Sequence, residues 1–170
     1  MILPTAYLPP LSYMQAYMGE PAMIEQMETF EKQTFRNRCL IRDPKGEIIR
    51  LTVPIGKVEH KQLTRDIQIS YQSKWQHQHW IAIESAYRHK PYFIYFADYL
   101  KPFYEREYKW LVDLNDGLNE TISALLEKRA PRLDSVSTAS RTNDWSGLTW
   151  TDKHSWQKEI SVLDTLFDEH

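Results

Sequence analysis

Thr34-Phe35-Arg36-Asn37-Arg38-Cys39-Leu40-Ile41-Arg42-Asp43-Pro44-Lys45-Gly46-Glu47-Ile48-Ile49-Arg50-Leu51-Thr52-Val53-Pro54-Ile55 is the stretch on which the fold turns. Two β-compatible runs, Thr34 to Arg42 and Ile48 to Ile55, flank Asp43-Pro44-Lys45-Gly46. There Asp, Pro and Gly occupy the first, second and fourth positions of a type I turn. The pattern predicts an antiparallel hairpin.

Toward the N-terminus the signals stay short. Met1 to Leu3 suits a brief strand halted by Pro4. Beyond Pro9 and Pro10, Leu11 to Met18 fits two helical turns ended by Gly19. Met23 to Met27 fits either helix or strand. Past the hairpin, Ile67 to Tyr71 adds a short strand, and then the chain turns helical. Gln72 to Lys90 carries no Gly or Pro, and Pro91 separates it from a helix over Tyr92 to Leu100. A longer helix is expected from Phe103 to Arg129, after Pro102, with Leu111, Leu114, Leu118, Ile122 and Leu125 forming one core-facing stripe. Gly117 interrupts it, which reads as a close packing contact. Pro131 ends the helical section, and the polar stretch from Asp134 to Gly147 reads as a connector. Trp156 to Phe167 is amphipathic, with Ile160, Leu163 and Phe167 at helical spacing. The expected fold class is α+β: a small mixed or antiparallel sheet from the N-terminal part packed against a helical C-terminal part.

Composition narrows the function classes. The 170 residues suit a single domain, 1–170, and 42% hydrophobic with 26% charged residues is a globular balance. With 21 basic and 23 acidic side chains the formal charge is -2, so no bulk attraction to nucleic acid or an anionic membrane is expected. The single cysteine excludes an internal disulfide and every zinc site built on two thiolates, and a reducing, cytoplasmic setting is expected. No run reaches the roughly 18 apolar residues of a spanning helix, and MILPTAYLPP lacks the features of a signal peptide. The 10 Tyr, 6 Trp and 6 Phe stand out, a composition suited to surfaces where a ring packs while its polar tip finds a partner.

Three groups of residues invite chemistry. If Thr34 to Arg42 is a strand throughout, Arg36 and Arg38 project from one face about 6.6 Å apart, with Arg42 extending the row. Two guanidinium forks so placed can grip a phosphate, pyrophosphate or carboxylate. The plainer reading is a solvated face with scattered charge. The same alternation sends Cys39 to the opposite face with Phe35 and Ile41, as a small buried hydrophobe and not a nucleophile. His77 and His79 resemble a metal pair, yet on a helix they lie about 200° apart, so no metal is expected there. His79 shares a stripe with Trp75, Ala82, Ile83 and Ala86. A histidine on an apolar face is most simply a satisfied core group, and if that face lines a cleft it is an acid/base candidate. Phosphate loops, nucleophile elbows and His-Glu-x-x-His are missing, and Asp66, Glu84, Asp98 and Asp113 occur singly.

Several segments together resemble a known family. They are Leu3-Pro4-Thr5-Ala6-Tyr7-Leu8-Pro9, Phe30-Glu31-Lys32-Gln33-Thr34-Phe35-Arg36-Asn37-Arg38, Leu51-Thr52-Val53-Pro54, Trp75 to Tyr87, Pro91-Tyr92-Phe93 and Ile160-Ser161-Val162-Leu163-Asp164. In order and spacing they resemble the WbqC-like family along nearly the whole chain; 135–149 matches nothing in it. The resemblance implies a role in bacterial surface polysaccharide or O-antigen biosynthesis, with transfer of glycine or another acyl group to a nucleotide-linked or lipid-linked sugar. It implies no cofactor. The family motif covers Tyr7, Arg36, Asn37, Arg38, Trp75, His79 and Tyr87. These are the candidate site residues, with His79 as general base and the others binding substrate. The alternative is a non-catalytic sugar- or partner-binding protein of the same pathway.

Overall fold

A computed structural model of the chain describes residues 2–19, 22–133 and 159–168. The hairpin forms as the turn chemistry demands. β3 (Arg38–Arg42) pairs antiparallel with β4 (Ile48–Thr52), with Arg38 opposite Thr52, Leu40 opposite Arg50 and Arg42 opposite Ile48. Asp43 Oδ1 accepts the amides of Lys45 and Glu47 at 2.9 and 2.8 Å, and Gly46 takes the φ of +86° that closes the turn.

The second sheet is parallel, joining β1 (Ile2–Pro4) to β2 (Met23–Glu25) through α1 (Leu11–Gly19). Met23 to Met27, open to both readings, thus supplies a strand. Among the described residues, two separate two-stranded sheets take the place of the one expected. The remaining helices are α2 (Trp75–Tyr87), α3 (Phe93–Leu100), α4 (Leu111–Leu133) and α5 (Leu163–Phe167), so strands precede helices in an α+β arrangement.

Three local expectations are corrected. First, Thr34 to Asn37 is not strand. The Asn37 amide bonds Thr34 O at 3.2 Å, Thr34 Oγ1 donates to Glu31 O at 2.9 Å, and Gln33 sits at φ +61°. These local bonds hold a turn that ends where β3 starts. Second, the long helix begins at Leu111, not Phe103. Lys101–Tyr104 make a 3-10 turn, and the following chain pairs with Ile67–Ile69: the Ile69 amide bonds Lys109 O at 3.0 Å and the Leu111 amide bonds Ile67 O at 3.0 Å. That pairing also explains why Ile67 to Tyr71 makes only isolated bridges, Ile55 with Ile69 and Gln68 with Trp110. Third, α4 runs two residues past Pro131. Trp156, the connector from Asp134 to Gly147 and the unmatched stretch 135–149 lie outside the described residues.

The leucine stripe is confirmed, since Leu111, Leu114, Leu118, Ile122 and Leu125 are all buried. Gly117 is a contact point: a Cβ there would stand 2.7 Å from the Phe103 ring. Across this core runs Thr5 to Pro10, buried without regular structure. A buried loop must find partners for its backbone. Two asparagines one turn apart on α4 help supply them, Asn119 Nδ2 donating to Ala6 O (3.1 Å) and Asn115 Nδ2 to Thr5 Oγ1 (3.0 Å) and Arg36 O (2.8 Å). The Tyr7 amide bonds Phe35 O at 2.9 Å. The C-terminal segment seals the other side, with the Ser161 amide on Leu40 O and the Val162 amide on Pro9 O.

Candidate functional site

The candidate residues fall into two groups around the hairpin. Arg36, in the turn before β3, is only 3% exposed. Its Nε and Nη2 donate to the two carboxylate oxygens of Glu28 at 2.7 and 2.9 Å, and Nη1 reaches Thr34 Oγ1 at 3.3 Å and lies 3.9 Å from Glu31. The guanidinium also lies over the Phe35 ring. A bidentate pair of this kind uses most of the donors an anionic ligand would need. Because Arg36 leaves the strand, it does not project beside Arg38.

Asn37 is buried, its Nδ2 donating to Val53 O at 3.1 Å, and its Oδ1 has no partner among the described residues. Arg38 opens β3 and is half-buried. Its Nε is shielded from solvent and unpartnered among the described residues. Burial and the nearby Arg50 cation lower its pKa from the usual arginine value.

His79 lies behind the hairpin, on the inner face of α2, with 5% exposure. Burial pulls its pKa down to about 4, so at neutral pH the ring carries one proton. Nε2 faces Thr52 O at 3.1 Å, and a carbonyl only accepts, so the proton resides on Nε2. Nδ1 is then the acceptor for the Tyr7 hydroxyl at 2.8 Å. Tyr7, having spent its proton, accepts from Tyr104 at 2.8 Å. The result is a directed chain from Tyr104 through Tyr7 and His79 to Thr52. Burial raises the pKa of both phenols, which stay neutral. Trp75 packs edge-on to the imidazole with ring centres 5.0 Å apart. His77, on the same helix, is exposed, as the helical spacing requires.

Tyr87 is also buried but packs on Phe167, 5.3 Å between ring centres, as part of the α2–α5 contact. Cys39 is buried on the inner face of β3, and desolvation raises its thiol pKa, so it behaves as the small hydrophobe expected. Among the described residues no cluster of His, Cys, Asp or Glu could hold a metal ion, and no helix is long and apolar enough to cross a membrane.

Tyr7, Trp75 and His79 are thus brought together, and Arg38 is tied to them through the rung it shares with Thr52. Arg36 and Tyr87 stand apart in the packing. Tyr104 and Arg50 were missed. Nothing local marks Tyr104, which only the fold carries to Tyr7, 97 positions away in sequence.

These features define an α+β protein built around a tyrosine–histidine chain and an arginine-bearing hairpin. The model of the WbqC-like protein family matches residues 5–162, and the chain belongs to that family. No curated protein and no solved structure matches it.

Proposed function

We propose that this protein is a transferase of bacterial surface polysaccharide biosynthesis, moving glycine or another acyl group from an activated carrier to the amine or hydroxyl of a nucleotide-linked or lipid-linked sugar. Family membership supports the pathway. The observation that carries the chemistry is the directed Tyr104–Tyr7–His79 chain, whose imidazole is neutral and tautomerically fixed. When the sugar nucleophile bonds to the acyl carbon, the carbon–carrier bond breaks and the nucleophile's proton must leave. The nucleophile passes its proton to the Tyr104 oxygen as Tyr104 passes its own to Tyr7 and Tyr7 to His79 Nδ1, and the chain then returns a proton to the departing carrier. Arg38 is the anion contact, since Arg36 is committed to Glu28. Asn37 and Trp75 position the hairpin and the imidazole.

A second reading draws on a specific observation: Tyr7, His79 and Tyr104 are 0, 5 and 6% exposed. A chain sealed to this degree also suits a non-catalytic sugar-binding protein, in which it only fixes α2 against the hairpin. Thermal shifts with nucleotide sugars, acyl carriers and free amino acids, followed by mass analysis of the mixtures, separate the two. The transferase reading expects a raised midpoint together with an acylated sugar, and His79→Gln keeps the shift but loses the product. A raised midpoint with no product from any combination contradicts it and leaves the binder.

A further inference from the structure

The register of the hairpin gathers arginines that the sequence does not show as neighbours. Residues opposite one another in an antiparallel pair project to the same face. Arg38, Leu40 and Arg42 therefore share the outer face of β3 with Thr52, Arg50 and Ile48 of β4, while Cys39, Ile41 and Leu51 point into the core. Arg50, opposite Leu40, is the diagonal neighbour of Arg38, at a distance long side chains readily span. Like charges gathered within reach on one face repel unless something neutralises them. Among the described residues no carboxylate lies within 4.0 Å of either guanidinium; the ion pairs there involve Arg36, Arg65, Lys90 and Lys101. Glu159, at the rim of the crevice that Arg38 lines, instead accepts from Ser12 Oγ at 2.5 Å.

Arg38 shows the imbalance at atomic level. Its Nε has lost water and gained no acceptor, against crevice walls made by Leu8, Pro10, Phe35 and Leu40. A guanidinium with a shielded, unpaired N–H beside a second cation is an unfavourable arrangement. Arg36 shows what the same side chain does when its partner belongs to the protein. We propose that Arg38 and Arg50 form an anion subsite on the outer face of the β3–β4 hairpin, taking a phosphate or diphosphate group. This rests on the transferase reading only for its ligand, the phosphate-bearing part of a nucleotide-linked or lipid-linked sugar. Two forks offer up to ten N–H donors, and a diphosphate supplies enough oxygens to engage both. Arg42, farther along the face, contributes attraction at longer range.

Titration calorimetry with inorganic pyrophosphate tests the subsite. The full chain should bind it, and Arg38→Gln and Arg50→Ala should each weaken binding by about tenfold or more, as expected for loss of a charge-assisted contact. Arg50 is exposed, so its variant keeps the fold even if Arg38→Gln does not. Lys45→Ala, in the exposed turn of the same hairpin, should change affinity less than about twofold, in line with a distant screened charge. The subsite is overturned if pyrophosphate does not bind, if Arg50→Ala binds like the parent, or if Lys45→Ala loses as much. Pyrophosphate binding that depends on both arginines, without acyl transfer to any sugar, upholds the subsite and defeats the transferase. Transfer at an undiminished rate by Arg50→Ala does the reverse.

Discussion

Arg36 and Arg38 are two residues apart and do opposite things. Arg36 sits in a closed turn, gripped by both oxygens of Glu28 and roofed over Phe35. Arg38 opens a strand, leaves Nε unsatisfied and faces another cation. The difference comes from backbone. The turn from Thr34 to Asn37 rotates Arg36 inward, and the ladder fixes Arg38 outward. An arginine's chemistry is decided by what the chain places opposite it, not by its neighbours in sequence.

The comparison breaks most visibly at Arg36. Arg36→Ala leaves the Glu28 carboxylate partly buried without its partner. Urea unfolding should show a loss of about 3 kcal/mol, the lower range for a broken buried pair because Glu28 retains some solvent. A loss below about 1 kcal/mol would place this pair with ordinary surface ion pairs.

His79 sharpens the contrast between buried and exposed polarity. Its folded pKa of about 4 lies below the unfolded value near 6.5, so the unfolded chain binds the proton more readily. Stability from this group is full above pH 6.5 and falls as pH drops toward 4, by about 2 kcal/mol between pH 7 and pH 5. Asp116 opposes it: desolvation and the neighbouring Glu120 and Asp113 raise its pKa to about 6, so its contribution falls as pH rises through that range. Comparing the parent with His79→Gln at both pH values cancels Asp116 and isolates the histidine. Equal pH dependence in the two proteins would refute the neutral imidazole.

Gly117→Ala tests packing away from both arginines. The added methyl meets the Phe103 ring, and the cost of overpacking exceeds the gain in helix propensity, for a net loss of about 1 kcal/mol. Phe103→Leu in the same chain should recover part of it. Arg50→Ala closes the series, with stability within about 0.5 kcal/mol of the parent or slightly raised, because the residue is exposed and its loss removes a repulsion and no ion pair among the described residues. A clear drop would mean that Arg50 is a structural partner after all.

Much of this was legible in the sequence. The Asp43–Gly46 turn announced the hairpin, and the leucine spacing announced the buried face of α4. Helical periodicity separated His77 from His79. The turn length also fixes which residues oppose one another, so Arg50 could have been placed beside Arg38 by counting back from Gly46. What alternation could not foresee was a strand that starts four residues late, because the turn at Thr34–Asn37 is held by Glu31 O and by an asparagine from α4, 79 positions away. Nor could periodicity find the start of α4. Trp110 lies just before a helical stripe, yet backbone pairing with Gln68 holds it extended. Long-range hydrogen bonds overrode local preference in each case.

The most direct test of the contrast is nuclear magnetic resonance of arginine Nε–H groups during a pyrophosphate titration. The Arg38 and Arg50 signals should shift progressively with ligand, while Arg36, held by Glu28, stays where it is. Movement of Arg36 with Arg38 and Arg50 unmoved would contradict the account.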